Sequence, residues 1–159
     1  MRKASGEEGK DIGHKMAVTT KRLEFSVDLD EGARLSAPGA GSLETPESWT
    51  PEHLLLAALG RCSGSSLSYH AGRAGLEVGI KTQIHGVVAR RERDGRIAFI
   101  EIGIEMVVES ERDLPPDELL ALLGKAERDC FVGASLETSP KYAWTVNGAV
   151  VHDARPVGS

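Results

Sequence analysis

Residues 49–75 read WTPEHLLLAALGRCSGSSLSYHAGRAG, a segment that predicts one long helix with a cysteine, Cys62, near its middle. Thr50 is a favoured N-cap residue, and Pro51 follows at the first helical position, where its missing N–H would have no helical partner in any case. Gly72 and Gly75 supply stop signals at the far end. The remaining predicted elements are arranged around this helix.

The apolar residues of this helix recur at helical spacing and predict its inward face. The predicted inward stripe places Cys62 toward the interior and consists of Leu55, Leu59, Cys62 and Ser66. Much of the remaining circumference is also small and uncharged, as at Gly60, Ser63, Gly64 and Ser65. A helix with so little polar surface is usually buried on more than one side, so we expect it to lie in the core of a homodimer.

The residues before the helix predict a polar arm and a hairpin. Residues 1–15 are polar and charged without periodicity. Alternating apolar residues then predict a strand within residues 16–29, with a return strand at residues 33–36. Residues 38–47 are rich in Gly, Pro, Ser and Thr, and predict a loop that leads to the Thr50 cap.

The residues after the helix predict two long strands, a helix and a last strand. Alternation predicts strands over residues 76–91 and 96–108, joined at an Asp94-Gly95 turn. On the second strand, one face is predicted to carry Ile100, Ile102, Ile104, Met106 and Val108. A second helix starts near residues 113–116 and carries Cys130 on its buried stripe, close to its end. Residues 142–151 predict a last strand, interrupted at Asn147-Gly148.

This order of elements predicts an α+β fold in which helices pack on an antiparallel sheet. The 159-residue length suits one domain, expected over residues 16–151, with a polar tail at residues 152–159. The formal net charge of −5 argues against nucleic-acid and anionic-membrane partners. The first residues lack a signal-peptide pattern, and no apolar run is long enough for a membrane span. A soluble cytoplasmic protein is expected.

The two cysteines, Cys62 and Cys130, are the main candidates for chemistry. Two cysteines in a reducing compartment do not indicate a disulfide framework, and the sequence has no CxxC or His/Cys cluster typical of a zinc site. We therefore expect no metal and no cofactor. Free cysteines are often simply buried in the core, so a pair of inert core thiols and a pair of reactive thiols both remain open.

The segment TPEHLLLAALGRC, from Thr50 to Cys62, resembles the OsmC/Ohr family of osmotically inducible and organic-hydroperoxide-resistance proteins. The family pattern is a Pro-Glu pair that opens the central helix, a cysteine ten residues after the Glu, and a second cysteine on a later helix. Glu52, Cys62 and Cys130 match it, and the resemblance extends over residues 16–151. It implies an OsmC/Ohr-like fold and an intertwined homodimer.

The resemblance also implies a reaction. Cys62 would attack an organic hydroperoxide and become a sulfenic acid, and Cys130 would resolve it as a disulfide. A dithiol or lipoyl-type donor would then reduce that disulfide. In the family an arginine, oriented by the helix-opening Glu, activates the first cysteine. The OsmC-branch loop position of this arginine holds Ser42 here, so Arg34 and Arg22 are the candidates to replace it.

Helix geometry separates Glu52 from Cys62 of the same chain. Ten residues correspond to about 15 Å of helical rise, further than a glutamate side chain can reach. The two positions also point about 80° apart around the axis. We therefore expect Glu52 to serve the Cys62 of a dimer partner, which would place the active sites at the subunit interface.

Two functions remain open from the sequence. The first is a thiol peroxidase that uses Cys62 and Cys130, with Glu52 and Arg34 as supporting residues. The second is a non-catalytic OsmC-like stress protein that has lost the activating arginine and binds small lipid-like molecules. Turnover of an organic hydroperoxide with a dithiol donor distinguishes the two.

Overall fold

The N-terminal part of the structure is a small antiparallel sheet. The computed structural model describes residues 23–31 and 34–153, which form two compact units divided between Thr45 and Pro46. The first unit contains three strands, β1 (Asp28–Leu29), β2 (Arg34–Ala37) and β3 (Gly41–Glu44), paired in that order. The arm predicted at residues 1–15 lies outside the described residues, and the 16–151 domain boundary stays a prediction.

Two predictions for this unit are wrong in part. The strand predicted within residues 16–29 is limited, among the described residues, to Asp28–Leu29. Its partner β2 ends at Ala37, because the next residue, Pro38, has no N–H to donate to a longer strand ladder. The loop predicted at residues 38–47 contains β3, which turns back through Gly39 and Gly41, both at positive φ.

The predicted central helix is confirmed. Helix α1 (Pro51–Arg73) starts after the N-cap Thr50, with Pro51 at the first helical position. The ring of His53 accepts a hydrogen bond from the backbone N–H of Thr50 at 3.2 Å, which secures the first turn. The helix ends two residues before Gly75, whose φ of +68° favours glycine.

The buried face of α1 differs from the predicted stripe. Its most enclosed row, spaced by four residues, is Leu59, Ser63, Leu67 and Ala71. Leu55, Cys62 and Ser66 are only half-buried, at the margin of this row. Successive helical positions point about 100° apart, so this rotation directs Ser63 into the core and leaves Cys62 at its edge.

The second unit contains a four-stranded sheet whose first two strands form a long hairpin. Strands β4 (Val78–Arg90) and β5 (Ile97–Ser110) are antiparallel, as predicted, and turn at Asp94-Gly95. The predicted buried face of β5 is confirmed from Ile102 to Val108. It is wrong at Ile100, which is 46% exposed, because a bulge opposite Val87 and Val88 shifts the register there.

The C-terminal elements return the chain to this sheet. Helix α2 (Pro116–Arg128) is followed by a separate short helix, α3 (Phe131–Ser135). Cys130 is therefore not on the predicted helix but between the two, as the N-cap of α3, where it is fully buried. Strands β6 (Lys141–Val146) and β7 (Ala149–Asp153) form a hairpin around Asn147-Gly148.

The sheet has the order β4-β5-β6-β7 and is mixed rather than wholly antiparallel. The helical connection through α2 and α3 brings β6 back parallel to β5, which corrects that part of the prediction. Helix α1 packs against β4, α2 and α3. The core consists of Leu59, Leu67, Ala71, Leu76, Ile102, Ile104, Met106, Val108, Leu122, Leu123, Ala126, Cys130, Tyr142 and Trp144. Among the described residues, no helix has the length and apolar character needed to cross a membrane.

Gly103 is expected to tolerate no side chain, because His85 of the neighbouring strand occupies the space above it. A Cβ added at Gly103 would overlap His85 Cε1 and would displace the ring. We expect Gly103→Ala to lower the free energy of unfolding by about 1–3 kcal/mol in urea titration. The matched control is Gly79→Ala, whose Cβ would meet only Glu109 Cβ at 3.8 Å, and a change within about 0.5 kcal/mol is expected. Equal losses for both variants would contradict the crowding by His85.

Candidate active site

Cys62 opens onto a cavity of the second unit. This cavity has a volume of about 700 Å³ and a largely apolar wall. Its lining residues are Ala58, Arg61, Cys62, Ser65, Ser66, Tyr69, His70, Asp129 and Phe131. Cys62 is a free, half-buried thiol at this wall, so a small molecule in the cavity can reach its sulfur.

Cys130 lies behind Cys62 and is enclosed. Its exposed fraction is 0%, and it is also a free thiol. The two thiols are close enough for each to shift the pKa of the other, although 67 residues lie between Cys62 and Cys130 in the sequence. The structure therefore brings the two predicted cysteines together, with one accessible sulfur and one enclosed sulfur.

The segment around α3 holds both sulfurs through its backbone. The N–H of Val132 donates to Cys62 Sγ at 3.5 Å, and the N–H of Gly133 donates to Cys130 Sγ at 3.4 Å. A Cβ at Gly133 would make only ordinary contacts, 3.4 Å from Cys130 Sγ and 3.6 Å from Tyr142 Oη, so it is the backbone N–H and not the lack of a side chain that matters here. Backbone N–H groups that point at sulfur favour the thiolate form.

Two buried hydroxyl groups that the sequence prediction did not single out complete the surroundings of Cys130. Ser63 is 1% exposed, and its Oγ lies 3.4 Å from Cys130 Sγ and 3.0 Å from Tyr142 Oη. Tyr142 is 6% exposed and stacks on Trp144 at 5.7 Å. The sequence contains only a weak signal for Ser63, which is the one hydroxyl in an otherwise apolar row of α1.

The two thiols ionise differently. Burial raises the pKa of the Cys62 thiol, the N–H of Val132 opposes this, and the neighbouring Cys130 raises it further. Burial would also raise the pKa of Cys130, but hydrogen bonds with Ser63, the N–H of Gly133, Cys62 and Tyr142 together outweigh it, and the pKa is lowered. Of the two, Cys130 is thus the thiol whose surroundings better accommodate a negative charge.

A histidine–aspartate pair lies at the far end of the cavity wall. His70 Nε2 is 2.9 Å from Asp129 Oδ2. Hydrogen bonds from Arg128 and, secondarily, from His70 lower the pKa of Asp129 to about 2. Asp129 is therefore ionised at neutral pH, which gives this end of an otherwise apolar cavity a polar character.

Glu52 and Arg34 have local partners of their own. Glu52 is exposed in the first turn of α1, where a hydrogen bond from the Thr50 side chain lowers the pKa of its carboxyl group. Arg34 belongs to the N-terminal unit and pairs with Glu44 at 3.0 Å. Arg22 lies outside the described residues. The structure thus unites the two predicted cysteines but does not bring Glu52 to the Cys62 of its own chain.

Comparison with known proteins points to one family. A family model described as OsmC-like protein matches residues 44–145. An OsmC-like protein of unknown function from Vibrio cholerae has a similar structure, with a TM-score of 0.61, 15% identity, and coverage of 79% of this chain and 99% of that one. A hypothetical protein from Aquifex aeolicus gives a TM-score of 0.59, 24% identity, and coverage of 80% and 98%.

A third similar structure has a function in its name. It is an organic hydroperoxide resistance protein OsmC from Legionella pneumophila, with a TM-score of 0.51, 18% identity, and coverage of 79% of this chain and 98% of that one. At these identities the likeness concerns the fold. No curated protein matches the sequence significantly.

Proposed function

Since this chain belongs to the OsmC-like protein family, we propose that it is a thiol-dependent peroxidase that reduces organic hydroperoxides. Cys62 attacks the peroxide, and Cys130 resolves the product. The observation that carries the proposal is the contact between two free thiols, of which Cys62 lines a cavity and Cys130 is enclosed behind it. Inert core thiols would not require this division between an accessible and an enclosed sulfur.

The reaction follows the first steps of cysteine oxidation. The Cys62 thiolate attacks the terminal oxygen of the hydroperoxide, the O–O bond breaks, and the alkoxide takes up a proton and leaves as an alcohol. Cys62 is then a sulfenic acid. Cys130 attacks its sulfur, the S–O bond breaks, and the hydroxide leaves as water. A dithiol donor reduces the resulting disulfide by two thiol–disulfide exchanges.

The cavity supports an organic substrate. Its volume of about 700 Å³ and its mostly apolar lining suit an alkyl or aryl group better than water-like hydrogen peroxide. The similar Legionella protein is named for organic hydroperoxide resistance, which agrees with this substrate class. Cumene hydroperoxide and tert-butyl hydroperoxide are therefore the appropriate test substrates.

Activation of Cys62 requires a positive charge, because its burial raises the pKa of the thiol. We assign this charge to Arg34, oriented by Glu52 of the partner subunit in a homodimer. About 15 Å of helical rise separates Glu52 from the Cys62 of its own chain, which is why a partner is needed. The small residues of α1 would permit close packing with a second copy, since Ser65 and Ser68 are exposed and Gly64 is half-buried. A monomeric mass by light scattering at micromolar concentration would contradict this assignment.

A steady-state assay with cumene hydroperoxide and dihydrolipoamide tests the proposed function. We expect turnover, and a Cys62–Cys130 disulfide after peroxide treatment without donor. Absence of both would support the alternative, a non-catalytic OsmC-like protein that binds small molecules in the same cavity. One observation favours that alternative: among the described residues, the groups that shift the pKa of Cys62 are Cys130 and backbone N–H groups, and none is a cation.

Narrowing the cavity is expected to discriminate between substrates. Ala58 lines the cavity one helical turn before Cys62, so Ala58→Phe would fill the space for an organic group. We expect the KM for cumene hydroperoxide to rise about tenfold, while the kcat/KM for hydrogen peroxide changes by less than about twofold. Steady-state kinetics with both substrates measure this, and the small peroxide serves as the internal control. Equal losses for both would indicate that the organic group binds elsewhere.

A further inference from the structure

The enclosed thiol has more hydrogen-bond donors around it than a merely buried cysteine needs. Ser63 Oγ and the N–H of Gly133 each lie 3.4 Å from Cys130 Sγ. Tyr142 Oη lies 3.0 Å from Ser63 Oγ, behind it. Ser63, Cys130 and Tyr142 are all at least nine-tenths buried, so this network is shielded from solvent. A weakly polar S–H group does not by itself account for such surroundings.

We propose that Ser63 and Tyr142 are positioning residues that favour ionisation of Cys130 and so prepare it to attack the sulfenic acid on Cys62. This inference rests on the proposed peroxidase function and adds to it two residues outside the family motif. Both act through Cys130, since neither faces the cavity that admits the substrate.

The direction of the hydrogen bonds follows from the charge on sulfur. A thiolate can only accept, so the Ser63 hydroxyl must donate to Cys130, and its oxygen is then free to accept from Tyr142. Burial raises the pKa of Tyr142, so its hydroxyl keeps its proton and remains a donor throughout the working pH range. Linked donors polarise one another, so the pair favours the thiolate more than Ser63 would alone.

The thiolate form matters for the resolving step. Cys130 Sγ attacks Cys62 Sγ, the S–S bond forms as the S–O bond breaks, and hydroxide departs into the open cavity. In the cavity the hydroxide takes up a proton from solvent and becomes water, which balances the proton that Cys130 released when it ionised. A resolving cysteine with a larger thiolate fraction shortens the lifetime of the sulfenic acid, which would otherwise meet a second peroxide and become a sulfinic acid.

The test compares Ser63→Ala and Tyr142→Phe with Ser139→Ala, a serine-to-alanine change at an exposed position in the loop before β6. Stopped-flow measurements follow disulfide formation after one equivalent of cumene hydroperoxide, as a function of pH. Loss of one hydrogen-bond donor to Cys130 is expected to raise the midpoint of the pH profile of disulfide formation by about one pH unit. The thiolate fraction at neutral pH then falls about tenfold, while each remaining thiolate becomes about threefold more nucleophilic, so resolution slows about threefold.

The pH profile separates ionisation from mere structural damage. In Ser63→Ala and Tyr142→Phe, resolution should be slower than in wild type at neutral pH but as fast or faster at high pH, so the profiles cross. The Ser139→Ala profile should coincide with that of wild type. Slower resolution at every pH with an unchanged midpoint would overturn the proposal, because it would show a packing defect only.

A peroxide-free titration keeps this inference separable from the proposed function. In Cys62→Ser, Cys130 is the only thiol, and its ionisation can be followed by the ultraviolet absorbance of the thiolate. Adding Ser63→Ala should raise that midpoint by about one pH unit. If the midpoint of Cys130 rises but the wild-type protein shows no peroxide turnover, the proposed peroxidase function is overturned and Ser63 remains a group that sets the ionisation of Cys130. An unchanged midpoint with normal turnover would overturn the role of Ser63 alone.

Discussion

Replacing Cys62 by serine is expected to abolish the reduction of organic hydroperoxides, with a loss of about 10³-fold or more in kcat/KM. Cys62 is the thiol that lines the cavity, whereas Cys130 has an exposed fraction of 0%. A serine hydroxyl is far less acidic than a thiol and supplies almost no anionic nucleophile at neutral pH. Steady-state assays with cumene hydroperoxide and a dithiol donor measure the loss.

The folded state of this variant can be checked independently, because serine occupies nearly the same volume as cysteine. The N–H of Val132, which donates to Cys62 Sγ, can donate to the serine oxygen instead. We therefore expect the thermal midpoint to stay within a few degrees of wild type. Turnover that persists in Cys62→Ser but disappears in Cys130→Ser would reverse the two roles. The lowered pKa of Cys130 would then explain why this thiol attacks the peroxide.

The sequence was sufficient to predict the elements whose signals are local. The N-cap Thr50 and Pro51 defined the start of α1, and the Asp94-Gly95 turn defined the β4–β5 hairpin. The pairing of Cys62 with Cys130 came from family resemblance, not from local signals. Capping and turn chemistry depend on a few neighbouring residues, and for that reason they can be read from a single chain.

The errors arose where tertiary contacts decide the outcome. The bulge that exposes Ile100 depends on the register against Val87 and Val88, which no alternation pattern encodes. The break after Arg128, which takes Cys130 off the helix, follows no Gly or Pro signal. The hydroxyl pair around Cys130 could not be predicted, because it joins Ser63 on α1 to Tyr142 on β6 across the core.

Replacing Cys130 by serine is expected to stop the catalytic cycle after one turnover while leaving the first chemical step intact. Cys130 is one of the groups that raise the pKa of Cys62, so its removal should leave the rate of peroxide attack at neutral pH unchanged or higher. Resolution has no thiol left to carry it. Each subunit should then release one alcohol, and steady-state turnover should fall about tenfold or more.

The fate of Cys62 in this variant distinguishes a resolving role for Cys130 from a structural one. Without resolution, excess peroxide should add a second oxygen to the sulfenic acid, so mass spectrometry should detect sulfinic acid on Cys62, where wild type forms a disulfide. Ser63 and the N–H of Gly133 can both hydrogen-bond a serine hydroxyl at this position, so the fold should persist. Continued turnover at the wild-type rate, with no overoxidation, would mean that the donor reduces the sulfenic acid directly and that Cys130 only fills the core.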